Sequence, residues 1–135
     1  MKRNILITAA LAMLAITAAS AQTVKLKATV PFSFIVGRFT LPAGEYSLKT
    51  MSNGQVLAMS NLDAKTTQLV LSNACESLTA SNTKLIFHRY GDRYFLRQIW
   101  TEGSNRGHEI PMGEREKEVA KSSSTQEVAL LAENH

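Results

Sequence analysis

Cysteine is nearly absent from this sequence, because Cys75 is the only one among 135 residues. A single cysteine cannot form an intramolecular disulfide, so the fold must be held together by its core. We expect Cys75 to be an unpaired thiol in a surface loop over residues 73–82. An intermolecular disulfide is the alternative.

Histidine is scarce, and the motifs of common enzyme classes are missing. The three histidines, His88, His108 and His135, include no pair at the spacing that a metal site on one strand or helix uses. No serine lies in a nucleophile elbow, and no glycine-rich loop for phosphate is present. We therefore expect no catalytic residues, no metal site and no cofactor, and hence a protein that is not an enzyme.

The first 21 residues have the order of a secretory signal peptide. Lys2 and Arg3 precede an apolar run over residues 5–19, and small residues follow as far as Ala21. The run is shorter than the roughly 20 residues that span a bilayer. We expect cleavage before Gln22, export to the periplasm or the exterior, and no transmembrane segment after cleavage.

Charge gives little support for a nucleic-acid partner. Residues 22–135 are enough for a single domain with one core. The full chain has 15 basic and 11 acidic residues, and loss of Lys2 and Arg3 lowers its net charge from +4 to +2. That excess is too small to be the electrostatic footprint of a nucleic-acid-binding protein.

Alternating apolar residues predict a half-buried strand near the start of the expected mature chain. Pro31 lies on the polar side of this alternation and cannot donate a backbone hydrogen bond. It therefore indicates either an edge strand or a break into two strands that join different sheets. The apolar positions are Val24, Leu26, Ala28, Val30, Phe32, Phe34 and Val36.

Two turn motifs predict the next strand pairs. The Leu-Pro-Ala-Gly sequence at 41–44 is expected to join strands over 32–40 and 45–52 in a hairpin. The Asn-Gly pair at 53–54 is expected to close a second hairpin through a two-residue turn. Its register places one set of side chains in the core: Tyr46, Leu48, Thr50, Leu57 and Met59.

The rest of the chain completes an all-β prediction. We expect a strand over 66–72, loops over 73–82 and 101–113, a short helix over 114–121, and either a last strand or a flexible tail over 122–135. About seven short antiparallel strands favour a sandwich, immunoglobulin-like in the leading version, or a small barrel, with one short C-terminal helix.

The stretch FHRYGDRYFLRQIW at 87–100 predicts a hairpin that turns at 91–92. Opposed residues share a face, so the hairpin has a core side and an outer side. The core side is expected to hold Leu85, Phe87, Tyr94, Leu96 and Trp100. The outer side is expected to hold Lys84, Ile86, His88, Tyr90, Arg93, Phe95, Arg97 and Ile99.

The outer side is the candidate site, with three interpretations left open. The first is a basic and aromatic platform for an anionic or carbohydrate ligand, formed by His88, Tyr90, Arg93, Phe95 and Arg97. The second is a cover, in which Glu114, Glu116 and Glu118 of the helix meet Arg93 and Arg97 while residues 125–132 cover Phe95 and Ile99. The third is a solvated sheet face without a partner.

Two motifs resemble those of a group of small exported β-rich proteins from Gram-negative soil bacteria. One is VPFSFIVGRFTLPAGEYSLK at 30–49, and the other is LIFHRYGDRYFLRQIW at 85–100. The resemblance implies export and a β fold, and it brings no activity, ligand or catalytic residue with it.

These observations lead to one functional hypothesis and two alternatives. We expect an exported, non-catalytic β module of the periplasm or cell envelope with a binding or structural role. Its partner would be an anionic or carbohydrate envelope component or another protein. The alternatives are a carrier that holds a small apolar ligand inside a closed barrel and a small hydrolase.

Overall fold

The computed structural model describes residues 25–134, apart from the side chain of Asn53. The expected signal peptide, its cleavage site and Val24 lie outside these residues. Within them, no helix is long and apolar enough to cross a membrane. The elements are β1 Lys25–Val30, β2 Phe34–Val36, β3 Phe39–Leu41, β4 Gly44–Met51, β5 Val56–Asn61, β6 Thr66–Leu71, β7 Asn73–Glu76, β8 Lys84–Tyr90, β9 Arg93–Trp100, β10 Arg106–Glu109, α1 Glu114–Ala120, β11 Gln126–Leu131 and β12 Glu133–Asn134.

The strands form two sheets that do not close into a barrel. The first sheet has the order β12-β1-β4-β5-β6, and the second has the order β11-β8-β9-β10-β7. A β2–β3 hairpin joins the second sheet through a parallel contact between Ile35 and Phe95. The expected all-β sandwich with one short helix is therefore confirmed, and the strands are shorter and more numerous than predicted.

Pro31 divides the first apolar stretch into strands of different sheets, as one of the two interpretations predicted. Leu26, Ala28 and Val30 of β1 are buried in the first sheet. β2 then pairs with β3 and touches β9 in the second sheet. A residue without an amide hydrogen cannot continue the ladder, so the chain leaves one sheet there and enters the other.

The hairpin predicted at residues 41–44 is wrong. β2 pairs with β3 instead, through a two-residue turn at Gly37 and Arg38 in which Gly37 has a φ of +61°. Residues 41–44 then carry the chain across to β4 in the first sheet. The Tyr46 hydroxyl donates a hydrogen bond to the Pro42 carbonyl oxygen. This contact fastens the crossing in the manner of the tyrosine corner of immunoglobulin-like sandwiches.

The register predicted for the hairpin around Asn53 and Gly54 is confirmed. Thr50 lies opposite Leu57 and Leu48 lies opposite Met59, and the five predicted core residues are all buried. The turn itself differs, because residues 52–54 form a 3-10 turn with positive φ at Ser52 and Gly54.

Two segments predicted as loops contain strands. β7 lies within 73–82 and β10 lies within 101–113, and the two pair with each other. β10 also pairs with β9, where Gly107 lies opposite Trp100. A Cβ atom at Gly107 would lie 2.6 Å from a carbon of the Trp100 ring, so the close approach requires glycine. Cys75 is a half-buried free thiol on β7, not in a loop.

The β8–β9 hairpin turns at 91–92 as expected, and the four predicted pairs nearest the turn are confirmed. The register then shifts, because Ile86 lies opposite Gln98 and not opposite Arg97. Arg97 is therefore the extra residue of a β-bulge, a feature that bends a strand and re-aims side chains.

The bulge reverses the expected faces of Ile99 and Trp100. Ile99 pairs with Leu85 and joins the core, although it was predicted on the outer side. Trp100, which was predicted on the core side, pairs with Lys84 on the outer side, where its indole N–H donates to Gln98 Oε1 at 3.0 Å. Trp100 is nevertheless buried.

The C-terminal segment forms a helix and then strands. α1 lies within the expected range 114–121, and β11 pairs with β8 over six residues. β12 then pairs with β1, with Asn134 opposite Leu26, so the described chain ends in the first sheet. Of the two alternatives for the C-terminal segment, the strand is the one observed, over Gln126–Leu131 and Glu133–Asn134.

Replacing Phe87 with alanine should strongly destabilise the protein. Phe87 is fully buried, with ring centroids of Phe32 and Phe34 at 5.0 and 5.6 Å. The cavity should cost about 3 to 5 kcal/mol of unfolding free energy, measured by urea denaturation. Leu78→Ala is the control because Leu78 is 89% exposed. A loss for Phe87→Ala as small as the control's would contradict the packing described.

Candidate functional site

The five candidate residues of the outer side are not equally accessible. Tyr90, Phe95 and Arg97 are buried, His88 is half-buried, and Arg93 is exposed. Val119 of α1 packs on a cluster formed by Ile35, Tyr90 and Phe95. The helix therefore covers part of this face, as the second interpretation predicted. Of its three acids only Glu116 meets one of the two arginines, Arg97, while Glu114 and Glu118 pair with Lys117 and Lys121 and Arg93 stays exposed. The other half of that interpretation is wrong, because residues 126–131 extend the sheet beside β8 and do not lie across Phe95.

Glu116 is the centre of the contacts beneath the helix. Its side chain is 3% exposed, and its Oε2 accepts hydrogen bonds from the Tyr90 hydroxyl at 2.8 Å and from Arg97 Nη1 at 3.1 Å. His88 Nδ1 lies 3.6 Å from the same oxygen and forms an ion pair with it when protonated. Burial is the main factor that raises the pKa of Tyr90, so its phenol remains a donor to Glu116 at neutral pH.

Arg97 also holds the chain segment that leads into the helix. Its backbone carbonyl accepts a hydrogen bond from the Ile110 amide at 2.8 Å, and its Nε donates to the Ile110 carbonyl at 3.0 Å. Its Nη2 reaches Glu109 Oε1 at 3.4 Å. The bulged residue therefore fixes the backbone at Ile110 by two bonds while its charge is matched by Glu116.

A groove lies between this segment and the first sheet. It encloses about 520 Å³ and is mostly apolar. Three pieces of chain line it: the β2–β3 turn, the end of β6 and residues 110–115. The apolar lining includes Phe39, Leu69, Val70, Leu71, Ile110 and Met112.

Charged side chains lie at the rim of this groove. The Arg38 guanidinium lies 5.9 Å from the centroid of the Phe39 ring. Arg115 Nη1 donates to Thr40 Oγ1 at 2.9 Å. Glu114, the acidic residue of the lining, is paired with Lys117 at 3.4 Å. The rim therefore presents two cations, of which Arg115 also donates to Thr40, and one acid that is paired with Lys117.

Sequence reasoning did not find the groove, although it identified several of the segments that form it. Leu69 and Leu71 were predicted to lie in a strand, but the side of the sheet to which they point was not predicted. Residues 110–113 were predicted to be part of a loop. The signal that was available is the spacing of Leu69 and Leu71, which are two residues apart and therefore lie on one side of the predicted strand. In the structure they are 53% and 72% exposed.

His108 is a half-buried polar residue that does not line the groove. Its imidazole lies against the turn at Gly54, where an added Cβ would be 2.7 Å from Cε1. Its Nδ1 is buried without a hydrogen-bond partner among the residues described. Burial lowers the pKa of His108 below its usual 6.5, and the backbone of Gly54 offsets part of that effect.

Within residues 25–134, no group of three or more His, Cys, Asp or Glu side chains lies close enough to hold a metal ion. The chain matches no family model, no curated protein and no solved structure. The structure defines the class as an open β-sandwich, and the family resemblance stays a prediction.

Replacing Glu116 with alanine should cost about 3 kcal/mol of unfolding free energy, because it leaves the buried Arg97 charge without its partner. Chemical denaturation measures the change. Glu118→Ala is the matched control on the same helix, since its side chain is 76% exposed and its ion pair with Lys121 contributes less than about 1 kcal/mol. Equal losses for the two variants would contradict the central place of Glu116.

The His108 pKa predicts a loss of stability in mild acid. A folded-state pKa below the unfolded value of 6.5 means that the unfolded chain binds the proton more tightly. The stabilisation is present above pH 6.5 and is lost as the pH falls from there through the folded-state pKa. Denaturation at a series of pH values should show a shallower acid loss for His108→Gln than for the wild type. Parallel curves would contradict the assignment.

Proposed function

We propose that the chain is an exported, non-catalytic binding module of the periplasm or cell envelope. The observation that carries the proposal is the open apolar groove beside β6, with Leu69 and Leu71 exposed at its side. Exposed apolar surface that is contiguous and rimmed by polar groups is typical of interaction sites. Two arginines at the rim supply orientation for a partner of opposite charge.

The sequence supports the exported location. Lys2 and Arg3, the apolar run over 5–19 and the small residues up to Ala21 have the order of a cleaved secretory signal. A β-sandwich without a disulfide fits this location when the core is large enough, and fifteen buried apolar residues pack in one cluster here.

Two observations support binding over catalysis or carriage. The carboxylate of Glu116 is buried under α1 on the outer side, where it accepts hydrogen bonds from the guanidinium group of Arg97 and the phenol of Tyr90. These groups are therefore not open to a substrate. The interior between the sheets is filled by packed side chains, including Phe34, Tyr46 and Phe87. A carrier of the kind considered above would need a closed barrel with an empty interior.

The anionic or carbohydrate ligand that the sequence suggested for the outer side stays a prediction. Of its five residues, Arg93 is exposed, while α1 packs over the aromatic pair Tyr90 and Phe95. We therefore favour the groove as the binding surface and a protein as the partner.

The proposal predicts both processing and an accessible apolar site. When the full chain is expressed in a Gram-negative host, the osmotic-shock fraction should contain a protein whose mass is that of residues 22–135. The folded mature protein should bind the apolar anionic dye anilinonaphthalene sulfonate saturably. Leu69→Lys combined with Leu71→Lys should weaken dye binding at least tenfold, which corresponds to about 1.4 kcal/mol.

Matched controls separate each arm from general damage. Ala19→Glu with Ala21→Glu should block cleavage, because small residues are needed at these two positions, while Ser20→Glu between them should not. Leu131→Lys is the control for dye binding. Leu131 is 69% exposed, lies on β11 at one end of the second sheet and does not line the groove. Retention of the uncleaved chain in the cytoplasm, or dye binding unchanged in the double lysine variant, would contradict the proposal.

A further inference from the structure

β6 has a free edge that follows the groove. It ends the first sheet, and its side away from β5 pairs with no strand among residues 25–134. Three consecutive residues, Leu69, Val70 and Leu71, line the groove. Successive side chains of a strand point to opposite faces, so a groove lined by all three runs along the edge of the strand. The backbone groups at such an edge are available for pairing with another strand. The Leu69 carbonyl oxygen accepts a long hydrogen bond from the exposed Gln68 side chain at 3.4 Å, which an incoming strand would have to replace.

This edge lacks most of the features that usually protect free strands from pairing. Those features are charged side chains, proline, bulges, very short length and a covering helix or loop. The last is partly present here, because residues 110–115 and the β2–β3 turn lie beside the end of β6 with the groove between them. β6 has the uncharged sequence TTQLVL and pairs with β5 without a bulge over six residues. The other described ends of the sheets differ, since β11 carries Glu127, β7 ends in Glu76, β12 has two residues and β3, which pairs with β2 alone, has three.

The charges at the rim indicate what kind of strand would fit. Arg38 and Arg115 bring two guanidinium groups to the groove, and Glu114 is engaged by Lys117. A guanidinium group presents a planar set of donors that matches a carboxylate. A second copy of this chain would bring the same excess of positive charge to the contact and is therefore disfavoured.

We propose that β6 takes up an extended acidic and apolar peptide segment of a partner protein, which pairs with its free edge. Alternate apolar side chains of the segment enter the groove beside Leu69 and Leu71, and a carboxylate of the segment meets Arg38 and Arg115. This mode is β-strand addition, in which main-chain hydrogen bonds give affinity and side-chain pockets give selectivity. The inference rests on the proposed function, since it names the partner of the same groove.

The unpaired edge of β6 favours a peptide over a lipid as the ligand. An acyl chain could fill the apolar lining, but it has no amide groups with which to use the backbone of β6. A peptide uses the edge, the lining and the two arginines together. The three observations therefore favour a peptide over a fatty acid.

The test uses the mature protein, 22–135, and a pool of synthetic octapeptides in which Val, Leu or Ile alternates with Thr or Ser between acidic ends. We expect retention of pool members by the immobilised protein and saturable binding of retained peptides in fluorescence anisotropy. Alternate backbone nitrogens can be N-methylated in two ways that are offset by one residue. The set that loses the main-chain donors facing β6 should bind at least tenfold more weakly than the other. Exchange of the acidic ends for lysine should also weaken binding at least tenfold.

Variants of the protein locate the contact. Leu69→Lys with Leu71→Lys should abolish peptide binding, whereas Leu131→Lys should leave it unchanged. Arg38→Gln with Arg115→Gln should remove the preference for acidic over basic ends while retaining sensitivity to N-methylation. Thermal unfolding followed by circular dichroism verifies that each variant is folded.

Four results would overturn the inference. They are binding that is insensitive to N-methylation, displacement of the peptides by laurate, retention of no pool member by a wild-type protein that is exported and binds dye, and dimerisation in sedimentation that Leu71→Lys abolishes. The third result would leave the proposed function standing. A failure of export and of dye binding would instead overturn the proposed function itself.

Discussion

The layer above the β8–β9 hairpin depends on Arg97, a buried cation at a bulge. Two backbone-directed bonds tie it to Ile110, and its guanidinium group meets Glu116 of α1. A buried charge is tolerated only with a partner and with hydrogen bonds to its donors, and each of the three guanidinium nitrogens of Arg97 donates one, to Ile110, Glu116 or Glu109. Residues 110–115 form one wall of the groove. The shape of the groove therefore depends on the buried ion pair between Arg97 and Glu116 beneath the helix.

Sequence patterns predicted the parts of the fold that short-range chemistry determines. The break at Pro31, the register around Asn53 and Gly54, the hairpin turn at 91–92 and the short helix all follow from residue types that favour those structures locally. The bulge at Arg97 does not, because one extra residue changes the parity of everything beyond it without leaving a mark in the alternation. The faces of Ile99 and Trp100 were wrong for that reason.

The remaining errors arose where distant segments supply the pairing. β7 and β10 are four residues each, and they form strands because they pair with each other and because β9 offers β10 an edge. The hairpin turns at Gly37 and Arg38, and the turn motif at 41–44 does not form one. The covering helix was predicted from charge, but the groove was not, because its walls come from residues near 38, 70 and 112. Only the folded chain brings these together.

The pairing of β12 with β1 has a consequence for the order of folding. Leu26 lies opposite Asn134, so one side of β1 is completed by residues more than a hundred positions away. Contacts at such sequence separation require closure of a very long loop and form slowly compared with local hairpins. β1 is therefore synthesised early, but Leu26 and Lys27 must wait for the last described strand before they are paired on both sides.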